Sequence, residues 1–113
     1  MVQPSMKDDP LYLLLRTGKI EEFNILKQGG EPCDLSGADL RGVDLRGLDT
    51  DGLDLSGSYL RQADLRGLDL RGTKLEGASI HAAKISGVYF PPELSADEIT
   101  LSLLHGTRMR YRT

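Results

Sequence analysis

Residues 38–67 read ADLRGVDLRGLDTDGLDLSGSYLRQADLRG. Leucine recurs there at every fifth position: Leu40, Leu45, Leu55, Leu60 and Leu65. The register extends outward through Leu35 on one side and through Leu70, Leu75, Ile80, Ile85 and Phe90 on the other, and Thr50 is the one centre that is not apolar. Two residues before each centre stands a small or apolar residue, from Cys33, Ala38 and Val43 to Ala83 and Val88. Asp fills most of the positions between, and Gly closes most units, with Gln62 and Ala82 as exceptions.

Neither regular backbone element buries such a series. In an α-helix five residues advance by about 500°, so successive centres rotate away from any one face. In a straight strand, side chains five apart point to opposite sides. A chain that turns a corner every five residues brings all the centres to one interior. Each unit is then a short extended piece with two inward residues, and Gly tolerates the backbone angles of the corner. Self-comparison at offsets of five and twenty residues matches almost equally well, so the number of corners per coil stays open on the residues alone.

Ala38-Asp39-Leu40-Arg41-Gly42 and Ala63-Asp64-Leu65-Arg66-Gly67 resemble the A-(D/N)-L-x-x signature of pentapeptide-repeat proteins, and the register holds over residues 33–90. The resemblance implies a mainly β solenoid, a right-handed quadrilateral β-helix with four units per coil. Twelve units then make three coils, only about 14 Å tall at the usual strand spacing. The pattern departs from the family around Thr50, where Leu48 and Leu53 occupy positions that the family gives to small residues. A larger neighbour beside the smaller Thr50 conserves core volume.

A solenoid exposes apolar ends and unpaired backbone, so both ends need covers. Residues 1–30 read as an N-terminal helical cap, 31–92 as the β-helix, and 93–113 as a capping and dimerisation helix with a basic tail. Asp9-Pro10 starts a first helix with Leu11, Leu14 and Leu15 on one face, and Gly18 ends it. A second helix spans residues 19–28 with Ile20, Phe23 and Leu26 inward. Ser95-Ala96-Asp97-Glu98 is a capping box, flanked by Leu94 and Ile99 as a hydrophobic staple, and Gly106 stops that helix. On a wheel Ile99, Leu103, Leu104 and Leu101 fall at roughly 0°, 40°, 140° and 200°, wider than the ~100° stripe that one buried side needs. These four residues are therefore the expected interface of a homodimer, with one side on the coil and the other on a second subunit.

The chain has 113 residues and a net charge of −3, and the whole excess lies within residues 31–90. Cys33 is the single cysteine, which excludes an internal disulfide and a cysteine-based metal cluster. No signal peptide or membrane span is read, so a cytoplasmic location is the default. No catalytic, cofactor or metal site is expected. His81 follows a centre and should face solvent, His105 suits the end of a helix, and Cys33 takes an inward slot. Arg108-Met109-Arg110-Tyr111-Arg112 reads as solubilising charge on a frayed terminus.

The expected function is a rigid, non-enzymatic protein-interaction module with an unidentified protein partner, and neither membrane nor direct nucleic-acid binding is expected. The alternative is suggested by long family members that mimic DNA and protect gyrase, a type II topoisomerase. The columns Asp34/Asp54, Asp44/Asp64 and Asp49/Asp69 would carry such mimicry. Against it, Arg41, Arg46, Arg61, Arg66 and Arg71 lie two residues beyond Asp or Tyr on the same outward surface, where opposite charges pair and cancel the one-signed field that a mimic needs.

Overall fold

The computed structural model of the chain describes residues 9–112. Its continuous elements are three helices: α1 (Pro10–Arg16), α2 (Ile20–Gln28) and α3 (Ala96–His105). Between α2 and α3 the chain coils. Parallel bridges join Asp39 to Tyr59, Asp44 to Asp64, Asp54 to Lys74, Tyr59 to Ser79, Asp64 to Lys84 and Asp69 to Tyr89. Each pair is twenty residues apart, so the chain returns over itself after four units, which settles the periodicity that the residues alone left open. The bridges are isolated because each side of the coil is only long enough for one paired residue between corners. Extended strands do not form among the described residues.

A repeating set of bonds builds each corner. The N–H three residues beyond a centre donates to that centre's carbonyl, as from Ala38 to Leu35 (3.1 Å) and from Ala63 to Leu60 (3.0 Å). The closing Gly then takes positive φ, +73° at Gly42, as the third residue of a type II turn requires. Gln62 (φ 60°) and Ala82 (φ 57°) adopt the same conformation with a side chain attached. The aspartate ahead of the centre prepares the corner: its Oδ1 accepts the N–H two residues on, from Arg41 to Asp39 (3.2 Å) and from Arg66 to Asp64 (3.2 Å). This is an Asx turn. Aspartate recurs, then, because it shapes the backbone.

Vertical bonds stack the coils. Leu40 N–H donates to Tyr59 O (2.9 Å), and Tyr59 N–H donates down to Ala38 O (2.9 Å). The pattern fails at one side. Thr50 reaches Asp69 O through its hydroxyl (2.6 Å), where every other paired centre uses its N–H. Gly52 N–H meets the carbonyl of Gly72 (3.0 Å), one residue past the regular partner, and Gly72 lies outside the positive-φ region. Thr73 Oγ1 takes up the carbonyl of Thr50 at 2.7 Å. The irregularity around Thr50 is thus a local slip of the ladder. Leu48, Leu53 and Leu68 are buried around it and fill the core that a threonine leaves thin.

Nine centres are at most 1% exposed: Leu35, Leu40, Leu45, Leu55, Leu60, Leu65, Leu70, Leu75 and Ile80. Thr50 is also buried, whereas Ile85 and Phe90, in the last coil, are half-buried.

The helical hairpin lies against the first coil. Asp9 caps α1 by accepting Leu11 N–H (2.8 Å). Leu11, Tyr12 and Leu15 are buried, and Tyr12 donates to Asp39 O (2.8 Å). In α2, Phe23 is fully buried beside a polar set that satisfies the bottom edge of the ladder. Asn24 donates to Gly47 O (3.0 Å) and accepts from Asp49 N–H (2.8 Å), while Gln28 and Lys27 reach the Asp49 carboxylate. These contacts fix the rotation of α2, which turns Leu26 outward (39% exposed), contrary to the inward position expected for it.

At the other end Ser95 caps α3 by accepting Glu98 N–H (3.2 Å), and Gly106 closes it in the left-handed conformation. Ser102, fully buried, accepts Ile80 N–H (3.0 Å), and Ala82 N–H donates to Leu103 O (3.0 Å). The tail corrects the expectation of a frayed end. Met109 is fully buried, its N–H donating to Ala78 O (2.9 Å) and its carbonyl accepting from Gly77 N–H (2.7 Å). Tyr111 hydroxyl accepts Leu75 N–H (2.8 Å), and Arg110 pairs with Glu98 (2.9 Å). Residues 109–111 satisfy the top edge of the ladder, which has no further coil to bond to.

Candidate functional site

The residues with chemical potential do not converge. His105 is exposed at the end of α3, and Cys33 is half-buried against the core at the first unit. His81 departs from the solvent-facing position expected of it. The close of α3 crosses above it, with Gly106 packed near the imidazole, and its Nδ1 is buried without a hydrogen-bond partner. An open groove of about 550 Å³ lies between the start of α2 and the first-coil corner at Arg46. Another, of about 490 Å³, follows the ladder slip past Asp49, Asp51 and Asp69. Neither is lined by a histidine or a cysteine.

The outer surface is organised by ion pairs two residues apart. Arg41 binds Asp39 through two guanidinium nitrogens (2.8 and 2.7 Å), and Arg66 binds Asp64 likewise (2.9 and 2.7 Å). Arg46–Asp44 (2.8 Å) and Arg71–Asp69 (2.7 Å) repeat the arrangement. Arg46 also reaches Asp64 one coil above, at 3.4 Å. The bonds from Arg66 and Arg71 hold the carboxyls of Asp64 and Asp69 at about 2, and those from Arg41 and Arg46 lower Asp39 and Asp44. Gln28 is the main cause of the lowering at Asp49. The columns Asp44/Asp64 and Asp49/Asp69 therefore present paired charge, which weakens the field a DNA mimic would need, while Asp34 and Asp54 accept bonds from Ser36 and Ser56. Arg71 and Arg108 also lie over Tyr89 (4.8 Å) and Tyr59 (5.0 Å) as cation–π pairs.

The repeat register, the corners and the aspartate turns agree with a comparison against known families. A model described as pentapeptide repeats matches in eight copies, over residues 33–49 and 51–90. The chain belongs to the pentapeptide-repeat family. Membership implies a β-solenoid, and proteins of this family are generally non-enzymatic. The break in the match falls at Thr50, where the ladder slips. No curated protein matches the chain. No helix of the described pentapeptide-repeat protein is long and apolar enough to cross a membrane.

The helix α3 divides the four residues expected at a dimer interface. Ile99 and Leu103 are half-buried and pack against the protein's own core. Leu101 and Leu104 are 41% and 60% exposed. Sequence reasoning missed Ser102, whose buried hydroxyl anchors the helix to Ile80. Its position one turn from Ile99 on the inward side of the wheel is the signal that was available.

Proposed function

We propose that this chain is a non-enzymatic protein-interaction module, homodimeric through α3, on a right-handed quadrilateral β-helix of about three coils. The right hand follows from the general preference of parallel crossover connections. The observation that carries the dimer is the exposure of Leu101 and Leu104 on a helix whose other side already covers the coil. Apolar side chains of this size on a short helix favour pairing with a like surface, and a two-fold axis brings the same patch from each copy together. Size-exclusion chromatography with light scattering tests this reading: the native chain runs at twice its 12.4 kDa mass, and Leu101→Glu with Leu104→Glu returns it to one. A native monomer at all concentrations removes the dimer. Regulation of a type II topoisomerase by DNA mimicry is less well supported, because Asp39, Asp44, Asp64 and Asp69 are each paired with an arginine.

A further inference from the structure

We propose that the corner running from Arg16 through Arg41 to Arg61, with Arg108 beside it, docks an acidic peptide segment of a partner protein. This deepens the interaction-module reading and rests on it. The twenty-residue register stacks Arg41 beneath Arg61, whose backbones are joined by Gly42 N–H to Arg61 O (2.8 Å). Arg16, from α1, donates to Arg41 O (2.8 Å) and extends the row downward. Arg108, from the tail, bonds Gly77 O (3.1 Å) and the hydroxyl of Tyr59, and lies over that ring, two residues from Arg61.

What sets this corner apart is the absence of compensation. Arg46, Arg66, Arg71 and Arg110 are each taken up by a carboxylate of their own chain. Among the described residues, no carboxylate lies within ion-pair distance of Arg16, Arg61 or Arg108. The cause is legible in the repeat: in unit 58–62 the usual aspartate is replaced by Tyr59, so Arg61 has no acid two residues behind it. Asp39, the acid two residues behind Arg41, has a side chain that is 8% exposed and already held by Arg41. Arg16, Arg61 and Arg108 thus present three guanidiniums without a carboxylate partner on a chain whose net charge is −3.

That imbalance selects the partner. Unpaired guanidiniums offer planar forks that match carboxylates. The row covers two coil spacings, about 10 Å, a length that a few acidic side chains of an extended segment span. A nucleic-acid strand would continue past it onto faces where the arginines are already paired with aspartates and offer its phosphates no free guanidinium.

Fluorescence anisotropy at low ionic strength tests this on the full chain, with a labelled Glu/Asp-rich peptide of about twelve residues and a single-stranded oligonucleotide of equal charge. Saturable peptide binding is expected, weakened about tenfold or more by Arg61→Glu and by salt, and unchanged by Arg71→Glu on the opposite face. Arg61 makes no ion pair within the chain, so its variant keeps the native unfolding midpoint. Absence of saturable peptide binding, equal loss in both variants, or tighter binding of the oligonucleotide overturns the proposal. Light scattering on the same samples separates the two readings: a dimer that ignores the peptide removes this edge alone, and a monomer that binds it removes only the dimer.

Discussion

The corner column formed by Gly42, Gln62 and Ala82 is an internal experiment, because one backbone conformation is occupied by three residue types. A left-handed backbone costs an L-residue about 1–2 kcal/mol. Glycine escapes that cost but loses more freedom on folding, which returns about 0.4–1 kcal/mol to a residue with a side chain. The difference leaves glycine ahead by about 0.5–1 kcal/mol at such a site. Sterics do not blur the comparison at Gly42, since a Cβ built there meets nothing within 4 Å. Gly42→Ala is therefore expected to destabilise the fold by about 0.5–1 kcal/mol, and Ala82→Gly to stabilise it by the same amount. Urea titration followed by circular dichroism reads both as opposite shifts of the midpoint at constant slope. A silent Gly42→Ala, or a destabilising Ala82→Gly, would refute the assignment of glycine's recurrence to corner conformation.

Ser58 is 1% exposed with an unpartnered hydroxyl, between Ala38 and Ala78 in its column, so Ser58→Ala should raise stability by about 1 kcal/mol in the same titration. A loss instead would show that the hydroxyl has a partner in solution. The Asp64 and Asp69 carboxyls are depressed to about 2 from 3.8. Their contribution is complete above the unfolded value near 4 and is lost as pH falls toward about 2. Thermal midpoints measured across that window should drop, and the drop should shrink in Asp64→Asn; a flat profile contradicts the ion-pair description. Met109→Ala opens a cavity under the tail and should cost about 2–5 kcal/mol, while Tyr111→Phe strands Leu75 N–H and should cost about 1–3 kcal/mol. Calorimetry showing either variant unchanged would return the tail to the role of loose charge.

Much of the fold is legible in one local rule. A centre every fifth residue, a small inward neighbour and a glycine corner are short-range facts, and Leu40, Leu45, Leu60 and Leu65 obey them in the interior. The number of sides is not short-range. It depends on which backbone lies above which, and a five-residue repeat looks the same at any multiple of five; only the bonds from Leu40 to Tyr59 and their equivalents distinguish twenty. In the sequence Asp39 and Asp64 look like surface charge, although their carboxylates shape the corner that follows. The tail misled for a related reason. Met109 and Tyr111 bond the backbone of residues more than thirty positions earlier, so nothing in their neighbours marks them as buried except an alternation with arginine. The unpaired corner at Arg61 became visible only when stacking placed Arg16, Arg41 and Arg108 around it.

The return after twenty residues also limits how this molecule can change length. Deleting one five-residue unit would keep every leucine in the interior, yet it would rotate everything downstream by a quarter turn about the long axis. A deletion between Tyr59 and the tail would leave Arg108 overlooking a different side from Tyr59, and one between Arg41 and Arg61 would set Arg61 above Ser36 in place of Arg41. Whole twenty-residue coils can be gained or lost with the two ends still facing as they do; fractions of a coil re-aim one end against the other while leaving the packing intact.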